Sequence, residues 1–365
     1  MKITKIKPSY YFVPYDRPLG NGKYMYYGMT MNVCCVETDE GITGVGYVGG
    51  PMGGGGIIHE TLKELSSYVV GEDPFTVEKI WAKMYLPKIF GRKGLEMRAI
   101  SAVDIAIWDL IGKAVNQPLY KLLGGYTNKL KAYVAAGYYE KGLNLKMLST
   151  EMEQIVNRGA RAVKMKIGRF PIREDAERIR VARETIGPDV DLLVDANNAY
   201  SVPDAIKMAR HLEKYDVYWF EEPVNCDDIP GQAAVTAATD IPVAIGENEY
   251  TRWGFRDLVD NKCANIFNTD CMVVGGITEW KRVADLAAAH DIPIAPHGNQ
   301  FLHVHLTSAV PNGLILEWLE HDMGYSEMFI DELPMVDGYV SPPERPGLGF
   351  EFNFKAMEKY LKASA

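Results

Sequence analysis

Lys166, Asp195, Glu221, Glu247, Asp270 and His297 each close a short apolar run, and the runs recur at nearly even intervals. They read AVKMK, DLLVD, VYWFE, PVAIGE, ANIFNTD and IPIAPH, and successive closing residues lie 29, 26, 26, 23 and 27 positions apart by subtraction along the chain. One strand, one helix and two loops occupy about that length, so the pattern predicts a (β/α) barrel with these groups at one mouth. Carboxylates flanked by a lysine and a histidine at a barrel mouth describe a metal-assisted acid–base site.

Asp195, Glu221 and Glu247 are the candidate metal ligands. Oxygen ligands with no cysteine or histidine close by suit a hard cation such as Mg²⁺, which keeps positions open for water and substrate. A single strand-end acid more often caps the following helix; three at near-equal spacing favour the metal. Lys164 and Lys166 alternate along their strand and so point to one side, the barrel interior, while Val163, Met165 and Ile167 face the helices. Two buried ammonium groups must face anions. A second ammonium and a nearby metal are expected to lower a lysine's pKa and make it a usable base. If Asp270 and His297 end neighbouring strands, the carboxylate can orient the imidazole and raise its basicity. His303 and His305, in the next helical stretch, read as structural. Glu317 closes GLILE and is expected to serve as an acid or as a hydrogen-bond donor to a substrate carboxylate; Glu320, in the same LEWLEHD segment, is its rival. Asn197, in VDANN, is a candidate substrate contact or bridge to a base. Tyr24, Tyr26 and Tyr27 are lid residues or a surface cluster, with Tyr26 the one assigned to substrate.

The elements that must position these groups divide the chain. Up to about residue 50 the sequence is β-prone, with a hairpin signal at Asp39-Glu40-Gly41. NGKYMYYGM reads as a polar loop before it and GGPMGGGG as a flexible loop after it, a lid over a site. The glycine run lacks the Lys-Ser or Lys-Thr of a phosphate cradle. Residues 57–125 carry apolar side chains at three- and four-residue spacing and read as helices. Strands followed by helices make residues 1–128 an α+β block. Residues 129–329 alternate: AYVAAG, the six runs above and GLILE are eight strand candidates separated by helical stretches. A doubly wound open sheet is the weaker alternative, because functional residues close nearly every strand rather than meeting at one switch point. The tail lacks the repeat. It reads as a turn, a short strand and a terminal helix, and residues 330–365 are expected to complete the first domain.

Composition sets outer bounds. Lys and Arg number 39 against 48 Asp and Glu, a net charge of −9, which argues against nucleic acid or a membrane surface as partner. It leaves a small carboxylate substrate open, since a metal reverses the charge locally. The five cysteines form no CxxC pattern and read as reduced thiols. The N-terminal segment has no apolar core of signal-peptide type and no run is long enough to span a bilayer, so a cytoplasmic location is expected.

Taken together, Lys-x-Lys (Lys164, Lys166), VDAN (Asp195), WFEEP (Glu221), GEN (Glu247), the Asp270–His297 pair and LEW (Glu317) resemble the enolase superfamily, mandelate racemase subgroup. The match runs nearly the full length, with VETDEGITGVGY and SAVDIAIWDLIGK in the N-terminal block. The resemblance implies an N-terminal α+β cap on a modified TIM barrel, (β/α)₇β, and Mg²⁺ on Asp195, Glu221 and Glu247. It implies Lys166 as base on one face of the substrate, His297 supported by Asp270 on the other, and Lys164 neutralising the substrate carboxylate. Relatives are commonly symmetric, so a homo-oligomer is expected. The implied half-reaction is removal of a proton next to a carboxylate, with the developing dianion offset by metal, Lys164 and a donor such as Glu317. An acid-sugar dehydratase giving a 2-keto-3-deoxy acid is the leading expectation, since Asn21 and the tyrosines offer contacts to hydroxyls. A racemase, epimerase or cycloisomerase acting on a hydroxy acid or sugar acid is the alternative. A noncatalytic binding protein on this fold would lack a member of the constellation, and none is missing. Specificity is expected in the loops around 18–30 and 47–57.

Overall fold

The computed structural model describes residues 1–51, 53–319 and 328–364. Strands β1 (Ile3–Gly20), β2 (Met25–Thr38) and β3 (Thr43–Pro51) form an antiparallel sheet. The expected hairpin turn falls between β2 and β3, where Gly41 takes φ 76°. Two loop expectations are corrected. β2 begins at Met25 and pairs back to Leu19 and Gly20, so Tyr26 and Tyr27 are strand residues and only Tyr24 lies in the connection. Gly49 to Pro51 end β3 and Gly55 opens the helix Gly55–Val69, so the glycine run is mostly a strand end and a helix start; Met52 lies outside the described residues.

The helix Leu95–Ala114 packs across β3 at backbone distance. A Cβ on Gly44 would lie 2.0 Å from the Ala106 carbonyl oxygen, and one on Gly46 2.1 Å from that of Ala102. Alternate glycines in β3 therefore let strand and helix touch where any side chain would hold them apart.

Parallel strands β4 (Leu130–Ala136), β5 (Ala162–Lys166), β6 (Asp191–Asp195), β7 (Val217–Glu221), β8 (Val243–Ile245) and β9 (Ile266–Phe267) pair in chain order, and β10 (Leu316–Trp318) pairs with β4. Ile294 closes the ring by bridging to Phe267 on one side and Gly313 on the other. IPIAPH is thus a single bridge rather than the expected strand, and β8 and β9 stop short of Glu247 and Asp270, which sit on the loops that follow. Side-chain caps start several of the helices between strands: Asn144 accepts from Met147 N–H, Ser201 from Asp204 N–H and Asp228 from Gly231 N–H, each worth about 1 kcal/mol.

The barrel is filled from within by a buried layer of Tyr133, Ala162, Leu193, Trp219, Ala244, Ile266, Ala295 and Ile315, one residue from each position round the ring. Because strand side chains alternate, residues two further on share that interior face at the C-terminal end. Lys164 follows Ala162, Asp195 follows Leu193 and Glu221 follows Trp219 at this interval. The intervening Val163, Met165, Val194 and Phe220 pack outward against the helices.

In the tail, β11 (Tyr339–Val340) pairs with β4, and β12 (Leu361–Ser364) adds an edge to β1 through Ser9, Tyr10 and Tyr11. The expected strand in GFEFN is only a bridge from Phe352 to Phe329, and the expected terminal helix is the single turn Phe354–Met357 before β12. No helix among the described residues is long and apolar enough to cross a membrane, and the five cysteines are free.

Gly46→Ala should lower stability by about 1–3 kcal/mol through overpacking against the helix. Urea unfolding followed by far-UV circular dichroism would register this as a lower midpoint; an unchanged midpoint would contradict the contact.

Candidate active site

The C-terminal mouth of the barrel holds a cluster of charges whose innermost members are buried. Lys164, Asp195 and Glu221 are each 0% exposed. Lys164 Nζ lies 2.7 Å from Glu221 Oε1, 2.9 Å from Glu317 Oε1 and 3.8 Å from Asp195 Oδ2. Lys166 Nζ lies 2.5 Å from Asp195 Oδ2. The second Asp195 oxygen accepts the Asn197 N–H at 2.8 Å, and Glu221 Oε2 accepts the Trp219 indole N–H at 3.0 Å.

On another arc of the mouth, His297 Nδ1 is 3.1 Å from Asp270 Oδ2 and its Nε2 is 3.5 Å from Glu247 Oε2. Asp270 is fixed by accepting Met272 N–H at 2.8 Å, as N-cap of a short helical turn. Round the ring, β5 with Lys166 is the second position from β4 and the Ile294 segment before His297 the seventh, so the two face the cavity from well-separated arcs.

Burial and neighbours oppose each other in the titrations. Burial pulls the Lys164 and Lys166 ammonium groups down, but the carboxylates outweigh it: Glu221 and Glu317 hold Lys164 well above the usual lysine range, and Asp195 raises Lys166. The lowering expected from the second ammonium and a metal is not produced by the protein groups on their own. Among protein groups alone the paired aspartate beats the second ammonium, so Lys166 is a charged acid while that pair is intact. Burial also lowers His297, yet Glu247 and Asp270 raise it to about 10. Glu317, pushed up by burial, is brought down to about 2 by Lys164 and His297. It is ionised and accepts Gly298 N–H at 2.6 Å, so it is an acceptor here and not the expected donor. Burial pushes Glu221 up to about 8 despite Lys164.

The residues fit a divalent cation. Asp195, Glu221 and Glu247 each offer an oxygen, and these lie within 4.8 Å of one another. Glu247 Oε2 is buried with no hydrogen-bond partner. With all four carboxylates Asp195, Glu221, Glu247 and Glu317 ionised, as ligation requires, they exceed the two lysines by two negative charges, while His297 and Asp270 balance each other; without the ion, burial holds Glu221 and Glu247 toward the neutral form. A dication bound by oxygen ligands would close both deficits.

A cavity of about 520 Å³ opens over the cluster, a size suited to a small organic ligand. Lys166, Glu247, Asp270, His297, Glu317, Asn197 and Tyr26 all reach it. Lys164, Asp195 and Glu221 lie beneath. Asn197 leaves its Oδ1 buried and unpartnered, and Tyr26 Oη accepts from Asn21 Nδ2 at 2.5 Å. Glu320 lies outside the described residues. The turn at 21–24 rests directly on the barrel: a Cβ on Gly22 would come within 2.5 Å of the Ile167 carbonyl oxygen.

Sequence reasoning passed over several residues here. Glu222, the second acid of WFEEP, is buried and accepts from Asn198 Nδ2 at 2.5 Å and from Asn248 Nδ2 at 2.9 Å, so it braces the loops after β6 and β8. Tyr138, just past β4, places its ring 5.4 Å from Lys166 Nζ. His303 is structural, as expected, yet near the site. Its Nε2 accepts Cys271 N–H at 3.0 Å and its Nδ1 meets Gly298 O at 2.7 Å, tying the residue after Asp270 to the residue after His297. Only Glu222 left a visible signal, an extra acid beside a ligand.

The comparisons with known proteins agree on the family. Residues 28–124 match the mandelate racemase / muconate lactonizing enzyme N-terminal domain, and residues 147–356 match the enolase C-terminal domain-like family. The chain belongs to the mandelate racemase / muconate lactonizing enzyme family. It is 34% identical to an arabinonate dehydratase of Saccharolobus solfataricus, over 89% of each chain. It is 36% identical to a 3,6-anhydro-alpha-L-galactonate cycloisomerase of Streptomyces coelicolor, over 88% of this chain and 89% of that one. The structure superposes on that of an L-talarate dehydratase from Polaromonas sp. JS666 complexed with Mg and L-glucarate with a TM-score of 0.93, at 29% identity, covering 100% of this chain and 98% of the other. The modified-barrel fold expected from the motifs is therefore the fold of this family member.

In protein stripped of metal by chelation, His297 should titrate near 10, and Asp270→Asn should lower that value. The folded value lies above the ordinary 6.5, so this group's contribution to stability is complete below about 6.5 and fades as pH rises through about 10. Imidazole NMR would follow the titration; an unchanged value in Asp270→Asn would remove Asp270 as its partner.

Proposed function

We propose that the protein is a Mg²⁺-dependent acid-sugar dehydratase that removes the proton next to a carboxylate and expels a β-hydroxyl, giving a 2-keto-3-deoxy acid. The observation that carries this reading is one cavity flanked by Lys166 on one arc and the His297–Asp270 pair on another, above three converging carboxylates. The relatives' chemistry supports it: an arabinonate dehydratase, and a talarate dehydratase complexed with Mg and L-glucarate. In this reading residues 129–329 are the catalytic barrel, and residues 1–128 with 330–365 cap it.

Asp195, Glu221 and Glu247 would hold the ion, which when bound supplies Lewis-acid stabilisation of charge developing on the substrate carboxylate. Lys164, fully buried and permanently charged, adds a fixed positive charge under that carboxylate and needs no reorganisation as the dianion forms. Lys166 and His297 work the two faces of the carbon. Lys166, released from Asp195, gives its extra proton to solvent water and then, neutral, takes the α-proton. His297, holding a proton on Nε2 and steadied through Nδ1 by Asp270, delivers it to the departing hydroxyl. Glu317 fixes Lys164 and the Gly298 amide on either side. Asn197 and Tyr26 line the cavity where substrate hydroxyls lie.

The second reading is a cycloisomerase, favoured by the Streptomyces coelicolor relative. The same two groups serve it: Lys166 takes the α-proton, His297 protonates the β ring oxygen as its bond to carbon breaks, and the resulting enol tautomerises to the 2-keto acid. A panel of sugar acids and their 3,6-anhydro forms with Mg²⁺ separates the two: 2-keto acid formed with loss of water marks dehydration, whereas a 2-keto acid of unchanged mass from an anhydro acid marks cycloisomerisation. Lys166→Ala and His297→Asn should each reduce turnover by about 10²–10⁴-fold. Full activity in both variants would refute the two-base assignment. Asp195→Asn should weaken Mg²⁺ binding in calorimetry, and unaltered affinity would refute the ligand set.

A further inference from the structure

The far wall of the cavity carries one cation that the chemistry above does not use. Arg98 lies in the first turn of the helix Leu95–Ala114 and lines the cavity with Gly49, Gly50 and Leu95. It is half-buried, and its Nη1 donates to the Gly49 carbonyl at 3.2 Å. A guanidinium carries five N–H donors, and among the described residues Arg98 makes no other hydrogen bond and no ion pair. The other cationic groups lining the cavity, Lys166 and His297, are each matched to a carboxylate of the barrel. Among the described residues lining the cavity, Arg98 alone is unmatched.

Its surroundings leave it open. A Cβ on Gly50 would come 3.4 Å from Nη1, so glycine there keeps the guanidinium uncovered. Its charge is felt in the site, since Arg98 helps to hold the Asp270 carboxyl low, although burial and the histidines weigh more. The same cavity is also lined by the hydroxyl-bearing Tyr15, Tyr24, Tyr26 and Thr30. A partly desolvated guanidinium with free donors is matched by a carboxylate, which it grips through two parallel hydrogen bonds.

We infer that Arg98 is the receptor for a second carboxylate, at the substrate end remote from the reacting carbon, and that the preferred substrate is a sugar diacid rather than a sugar monoacid. The inference rests on the reading of the barrel mouth as the α-proton-abstracting site. One carboxylate then lies over Lys164, the hydroxylated carbons cross the cavity, and the terminal carboxylate meets Arg98.

The test pairs each six-carbon aldarate with the aldonate of the same configuration at the shared carbons, using the Mg²⁺-loaded full chain and reading α-proton exchange and keto product. The wild-type chain should show a kcat/KM for its best diacid at least about 10-fold above the matched monoacid, the scale of one charge-assisted contact. Arg98→Gln should collapse that ratio toward one, mainly by raising KM for the diacid, and Arg98→Lys should restore part of it. Circular dichroism and Mg²⁺ binding report whether the variants fold. A wild-type chain that handles both members of every pair equally, or a variant in which the ratio survives, overturns this assignment and leaves the proton-abstraction reading standing. A folded, Mg²⁺-binding chain that exchanges no α-proton from either series overturns both.

Discussion

Everything at the barrel mouth depends on charge neutrality in a place water does not reach. Lys164 has no exposed surface, and neither do two of the carboxylates it faces. Burying such groups singly costs several kcal/mol each, so they persist only as a mutually satisfied set. Lys164 touches Glu221 and Glu317, Lys166 holds Asp195, and Trp219 takes the remaining oxygen of Glu221. The two negative charges left over when every carboxylate is ionised, and the Glu247 oxygen that lacks a hydrogen bond, define what the set still requires. Fold and chemistry share this constraint: the arrangement that keeps the barrel end stable is also one that can receive an anion's developing charge.

The period-2 alternation of strands turns that requirement into sequence. One layer of apolar side chains fills the barrel, and the next inward positions on β5, β6 and β7 carry Lys164, Asp195 and Glu221. These residues were legible because regular strands hold them. Glu247, Asp270 and His297 were legible only through their spacing, since β8 and β9 end before them and the last strand shrinks to the bridge at Ile294. The sign of the Lys166 shift was not legible. It depends on which neighbour is nearer, Asp195 or Lys164, and spacing along the chain does not carry that distance.

The residues contributed from outside the barrel follow no repeat. Arg98 stands in an ordinary helical stretch, and only packing of that helix across Gly44 and Gly46 brings it over the cavity. Asn21 and Tyr24 are presented by a turn that rests on the barrel backbone at Gly22. The helix is further anchored where Asp104 accepts from the Thr278 backbone and hydroxyl at 2.9 and 2.6 Å. The division is physical: the barrel supplies reactive groups at fixed register, and the N-terminal layer supplies recognition groups whose positions come from tertiary contacts alone.

The pairing of β12 with β1 carries a consequence for biosynthesis. The edge of β1 at Ser9 to Tyr11 receives its partner from residues 361–364, on the far side of the barrel sequence. A ribosome delivers those residues after the whole barrel has emerged. Until then β1 presents unpaired backbone groups, the kind of edge that recruits other strands. The N-terminal sheet is therefore begun before the barrel and completed after it, and the nascent chain carries an open sheet edge while the barrel is being made.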